Sequence, residues 1–131
     1  MLAADTNVVV RVLVGDDPDQ QEAALKRLRK VREDGGSVVV GAVVLAEVAW
    51  VLNSAYGYTR AQIASALRGL LGTPPFAVHQ RAAVLGAIES YEKGPADFSD
   101  YLILALAQAE GCTTLLTFDR RLLKNPACEA P

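Results

Sequence analysis

Carboxylates stand at five places in this 131-residue chain where they could together hold a divalent cation: Asp5 in AADTN, Glu47 in VVLAEVAWVL, Asp97 and Asp100 in ADFSDYLI, and Asp119 in LLTFDRR. Acids gathered at one point repel one another unless a cation sits among them, and their hard oxygens suit magnesium or manganese. Such an ion polarises a phosphodiester and lowers the pKa of a bound water for in-line attack, and a second ion could stabilise the leaving oxygen. That chemistry needs neither a serine nor a histidine nucleophile. The only histidine, His79, falls beside an expected strand and away from the acids, and reads as structural.

The elements that must carry these acids alternate between strand-like and helix-like patterns, with no linker, low-complexity tract or repeat between them. Strands are expected at Leu2 to Ala4, Ser37 to Val40, Phe76 to Val78 and Thr113 to Phe118. Asn7 to Val14 reads as a short apolar helix or extended segment. Asp17, Pro18 and Gln20 read as an N-cap, a first-turn proline and a capping-box partner for a helix to about Arg32, ended by Gly35 and Gly36. Further helices are expected over Ala42 to Ser54, from a Thr59/Gln62 capping box to Leu71, from Gln80 to Lys93, and from Phe98 to Glu110, with a short closing helix at Arg120 to Lys124. The tail NPACEAP carries little pattern and is expected to be loose. Such alternation favours a parallel sheet with crossover helices, read here as a single domain over residues 1–131.

Geometry allows the acids to meet. A helix of about 12 residues from Ser99 descends roughly 18 Å, and a strand of about 6 residues from Thr113 climbs back roughly 20 Å, so Asp100 and Asp119 should finish at one height. That height is the carboxyl rim of the sheet, where α/β proteins bind ligands and where Asp5 also arrives. Glu47 lies roughly 7 Å lower on its helix. Val43, Val44, Trp50 and Val51 surround it at helical spacing, so it is expected to be embedded in an apolar stripe with no Lys or Arg partner. Taken singly, each aspartate could be an ordinary turn or helix cap. Taken together, the acids favour a metal site, with Asp97 the weakest member. Scattered oxygens, or oxygens separately neutralised by lysine and arginine, would remove the need for a metal.

Composition narrows the setting. A chain with 51% hydrophobic residues can bury a core of its own, and a net charge of −2 gives no global basic footprint for a nucleic acid. Any such partner must be held by local patches: Lys26, Arg27, Arg29, Lys30 and Arg32 on one helix, and Arg120, Arg121 and Lys124 after the last acid. No aromatic stacking platform is evident. Cys112 and Cys128 fit no metal-ligand spacing, and with no signal-peptide pattern at the start the chain reads as cytoplasmic. No apolar run approaches the ~20 residues of a membrane span.

The blocks AADTNVVVRVLVGDDPDQ, LAEVAWVLNSAYGYTRAQI and ADFSDYLILALAQAEGCTTLLTFDRRL resemble the PIN domain family, and more narrowly the VapC-type toxins of type II toxin–antitoxin modules. The resemblance implies a three-layer α/β/α sandwich with a central parallel sheet and a Mg²⁺- or Mn²⁺-dependent ribonuclease. On that likeness Asp5, Glu47, Asp100 and Asp119 match the acidic metal site, with Asp97 a fifth acid. Thr6, Asn7 and Thr117 match polar positions that orient ligands or water. Arg120 and Arg121, beside Asp119, could contact RNA. The resemblance further implies a homodimer and a small antitoxin whose C-terminal segment lies across the active site. One departure is Gly41, where relatives often carry Ser or Thr.

Other classes compete. A haloacid-dehalogenase-type phosphatase would also place Asp5 after the first strand, but wants a second aspartate two residues on, where this chain has Asn7. A response-regulator-like module leaves Glu47 without a task. A catalytically silent RNA-binding or interaction module would have no use for the full acid set.

Overall fold

Strand β1 (Leu2–Ala3) runs parallel to β2 (Val38–Val39), and β2 runs parallel to β3 (Phe76–Ala77), with Leu2 opposite Val38 and Val38 opposite Phe76. The computed structural model describes residues 1–131 and resolves them into two compact units, Met1–His79 and Gln80–Pro131, each with its own parallel pairing. The chain is therefore an α/β protein, as the alternating pattern implies.

In the first unit, the β1-to-β2 connection carries α1 (Thr6–Leu13) and α2 (Pro18–Glu33), and the β2-to-β3 connection carries α3 (Ala42–Ser54) and α4 (Arg60–Leu71). Backbone bonds from Ala4 N to the Val39 carbonyl (3.0 Å) and from Val40 N to the Ala77 carbonyl (2.9 Å) carry the pairing past the two-residue strands. The helices start where their sequences say. Asp17 accepts from Gln20 N at 3.1 Å, Pro18 occupies the first turn, and Thr59 with Gln62 forms a reciprocal capping box. The reciprocal half expected of Gln20 is absent, because its Oε1 accepts from Arg11 Nε at 2.7 Å instead. Gly41 caps α3 without a side-chain bond. Val9, Val40, Leu45, Leu52, Ile63 and Leu67 are fully buried and form the core, each burial worth about 1.5–3 kcal/mol.

The second unit is a helical hairpin followed by a parallel strand pair. Helix α5 (Arg81–Lys93) ends at Gly94, whose φ of 73° only glycine adopts freely, and α6 (Phe98–Ala109) packs against it. Val84, Ala87, Ile88 and Tyr91 on α5, with Phe98, Tyr101, Leu102 and Leu104 on α6, make its buried face, and the Tyr91 and Phe98 rings meet edge to face at 5.9 Å. Strand β4 (Leu115–Leu116) pairs with β5 (Cys128–Glu129), with Leu115 opposite Cys128.

Two expectations need correction here. The closing helix is only a 3₁₀ turn, Leu122–Lys124, and the tail is ordered as β5. Asn125 explains the second point. Its Oδ1 accepts from Ala127 N at 3.0 Å and its carbonyl accepts from Cys128 N at 3.0 Å, a side-chain-stabilised turn that folds the tail back beside β4. Leu115 N then donates to the Ala127 carbonyl at 2.8 Å and Thr117 N to the Glu129 carbonyl at 3.0 Å.

Candidate active site: acids in two settings

Asp5 sits where β1 passes into α1. Its backbone is extended (φ −88°, ψ 178°) and its Oδ1 accepts from Val8 N at 3.1 Å, so it serves as the N-cap of α1. The next residue, Thr6, donates its hydroxyl to Glu47 Oε1 at 3.2 Å, tying the start of α1 to the middle of α3. Neither carboxylate has a lysine or arginine partner. Asn7 is exposed, and with Asp5, Arg11 and Arg27 it borders a cavity of about 500 Å³ among β1, α1 and α2.

Glu47 departs from its expected surroundings. Its helical neighbours Val43 and Trp50 are 74% and 70% exposed, and Glu47 shares that outward face, while Leu45, Val48, Ala49 and Leu52 supply the buried one. The stripe is apolar as expected, but a helix rich in apolar residues on every side can bury only part of its circumference.

The second unit gathers three acids on one cation. Arg121 Nη2 lies 3.4 Å from Asp97 Oδ2, 3.3 Å from Asp119 Oδ2 and 4.0 Å from Asp100 Oδ2. Asp97 and Asp100 stand at the start of α6, where Asp97 N donates to Asp100 Oδ2 at 3.1 Å. Asp119 follows β4, and its Oδ1 accepts from the backbone N–H of Arg121 at 2.8 Å and of Leu122 at 3.3 Å. Thr117 fixes the approach, its hydroxyl accepting from Asp119 N at 3.0 Å. The Arg121 guanidinium, aided by these backbone donors, holds the Asp119 carboxyl below the usual carboxylate range, and Asp119 followed by Asp97 holds Arg121 charged still more firmly. Asp100 and Asp119 thus share a neighbour. That neighbour is one arginine shared by three carboxylates, which leaves the cluster net negative rather than neutralising each acid separately.

These residues fit a hard divalent ion in their chemistry, since every donor is a carboxylate oxygen and the guanidinium marks where positive charge is stabilised. They do not form a ready cage: no three acidic, histidine or cysteine side chains surround a common point at ligand distance. Arg120 is exposed and makes no ion pair, whereas Arg121 is engaged by the acids. Phe118, which sequence reasoning passed over, is 82% exposed beside Asp119. Its only signal was its place between Thr117 and Asp119 in a strand whose other large residues are leucines. His79 is exposed and meets none of the acids. Cys112 is exposed and Cys128 buried, both are free thiols, and burial pushes the Cys128 thiol up.

In α/β proteins ligands bind in the crevice at the carboxyl ends of the strands. The PIN domain profile matches residues 3–127, nearly the whole chain, and the chain belongs to the PIN domain family. Members of that family are typically metal-dependent nucleases, which makes a hydrolase the activity class of this fold. No curated protein matches the chain. No helix is long and apolar enough to cross a membrane.

Proposed function

We propose that residues 1–131 act as one metal-dependent endoribonuclease domain of VapC type, the toxin of a cytoplasmic toxin–antitoxin pair. In this reading Asp5, Glu47, Asp100 and Asp119 hold Mg²⁺ or Mn²⁺, with Asp97 as a fifth acid. The observation that carries the reading is that Asp97 and Asp100, at the start of α6, and Asp119, beyond β4, gather around a single cationic nitrogen. Three carboxylates around one guanidinium leave a locally negative spot that further positive charge would balance.

When bound, the metal supplies a polarised phosphodiester and an acidified water. The chain's own residues prepare for it. Thr6 holds one oxygen of Glu47 by a hydrogen bond, and the backbone amides of Arg121 and Leu122 fix the Asp119 carboxylate. Thr117 sets the turn that presents Asp119. Arg120, unpaired and exposed, is the cation best placed to meet a substrate phosphate, and the exposed Phe118 ring offers a face for a base. A homodimer and a small antitoxin complete the proposal.

The test is cleavage of structured RNA and of DNA by the purified chain with Mg²⁺, Mn²⁺ or EDTA, alongside Asp5→Asn and Asp100→Asn. RNA cleavage should require metal and both carboxylates, with the fold intact by circular dichroism. Metal-independent cleavage, or full activity in both variants, rejects the mechanism, and phosphate release from a generic phosphomonoester points to the phosphatase class.

A further inference from the structure

We propose that Arg121 is the resident counter-ion of the acid cluster: its guanidinium keeps Asp97, Asp100 and Asp119 gathered, and a divalent cation must displace it to bind there. The inference rests on the metal-site reading above and adds the regulation of that site.

A permanent positive charge within 4.0 Å of all three carboxylates repels an incoming divalent ion while masking part of the negative charge that would attract it. The contact has the features of a removable plug rather than a fixed strut. Arg121 is 49% exposed, so its side chain can leave by rotation without unpacking the core. It is attached to Asp119 twice, through its backbone N–H to Oδ1 at 2.8 Å and through Nη2 to Oδ2 at 3.3 Å. Withdrawal of the side chain frees one oxygen and leaves the backbone bond orienting the other. Arg121 itself borders a hollow of about 260 Å³, together with Pro95, Lys124 and Asn125, which gives the side chain room to move. Arg121 is then a positioning residue, which assembles the acids before the metal arrives.

The counter-ion role and a plain structural role predict opposite signs. If Arg121 only braced the acids, its loss would loosen them and weaken metal binding. If it occupies their cation position, its loss tightens binding. The measurement is the equilibrium affinity of the full chain for Mn²⁺, read by electron paramagnetic resonance of the free ion, for the unsubstituted protein, Arg121→Gln, Arg121→Lys and Arg120→Gln. Arg121→Gln should bind about tenfold tighter, the scale of removing one charge at this separation in a solvated site. Arg121→Lys, which keeps the charge but loses the planar fork, should fall between that variant and the unsubstituted protein, and it carries the test should Arg121→Gln fail to fold. Arg120→Gln, which alters the same net charge outside the cluster, should shift affinity by less than about twofold. Equal or weaker binding by both Arg121 variants overturns the counter-ion role and leaves the metal site standing. No Mn²⁺ binding by any of the four proteins overturns both.

Discussion

Asp5 and Glu47 in the first unit meet only neutral donors, an amide and a hydroxyl, whereas Asp97, Asp100 and Asp119 in the second meet a guanidinium. The same side-chain type therefore carries a different electrostatic state in each. Asp5 and Glu47 have no internal cation beside them and are oriented by hydrogen bonds worth about 1 kcal/mol apiece. Asp97, Asp100 and Asp119 are drawn together at the expense of being partly neutralised. Orientation and availability are thus separable properties of a carboxylate, and this molecule shows one arrangement in which each dominates.

The sharpest way to break the comparison is activity. Asp119→Asn and Asp5→Asn should each lower RNA cleavage by about 100-fold or more, the scale of removing one preorganised charge-stabilising group, measured by single-turnover assay at saturating Mg²⁺. If only the first-unit substitution matters, the guanidinium-bound acids are structural. Next in size is stability. Leu52→Ala in the first unit and Ile88→Ala in the second, both fully buried, should each cost about 2–5 kcal/mol by urea denaturation. Two separate transitions shifted one at a time would mean that the two cores melt independently.

Smaller effects sharpen the picture. Thr6→Val keeps the shape but removes the donor to Glu47, and should lower cleavage about fivefold while leaving stability within about 1 kcal/mol. The smallest effect concerns acid. Because Arg121 depresses the Asp119 pKa below its ordinary 3.8 in the folded chain, that contribution is present above pH 3.8 and is lost as pH falls through the lowered value. Arg121→Gln should therefore be slightly less stable than the unsubstituted protein at pH 6, and the gap should narrow as the pH is lowered below 3.8, as followed by thermal melts.

Much of the fold was legible because its signals are local. The Thr59/Gln62 capping box, the Asp17–Pro18 helix start and the glycines after α5 and α6 act within a few residues, and the structure uses each of them. What escaped reading depends on contacts across the chain. Gln20 has the right spacing for a capping box, yet Arg11 from another helix takes its oxygen. Periodicity identified the neighbours of Glu47 but not which side of an all-apolar helix faces outward, since that is decided by what packs against Leu45 and Leu52. The Arg121 contact could have been suspected from its place two residues after Asp119. Its reach to Asp97 and Asp100 could not, because it depends on where the loop after β4 meets the start of α6.

The ordered tail has a practical consequence. Because Thr117 takes its backbone partner from Glu129, and its hydroxyl in turn sets Asp119, the last strand works as a splint on the loop that bears the acid. Trimming the chain after Pro126, or appending a bulky tag immediately at Cys128, would strip that splint and let the loop wander while leaving the helices folded, a failure easily mistaken for damage to the catalytic group itself.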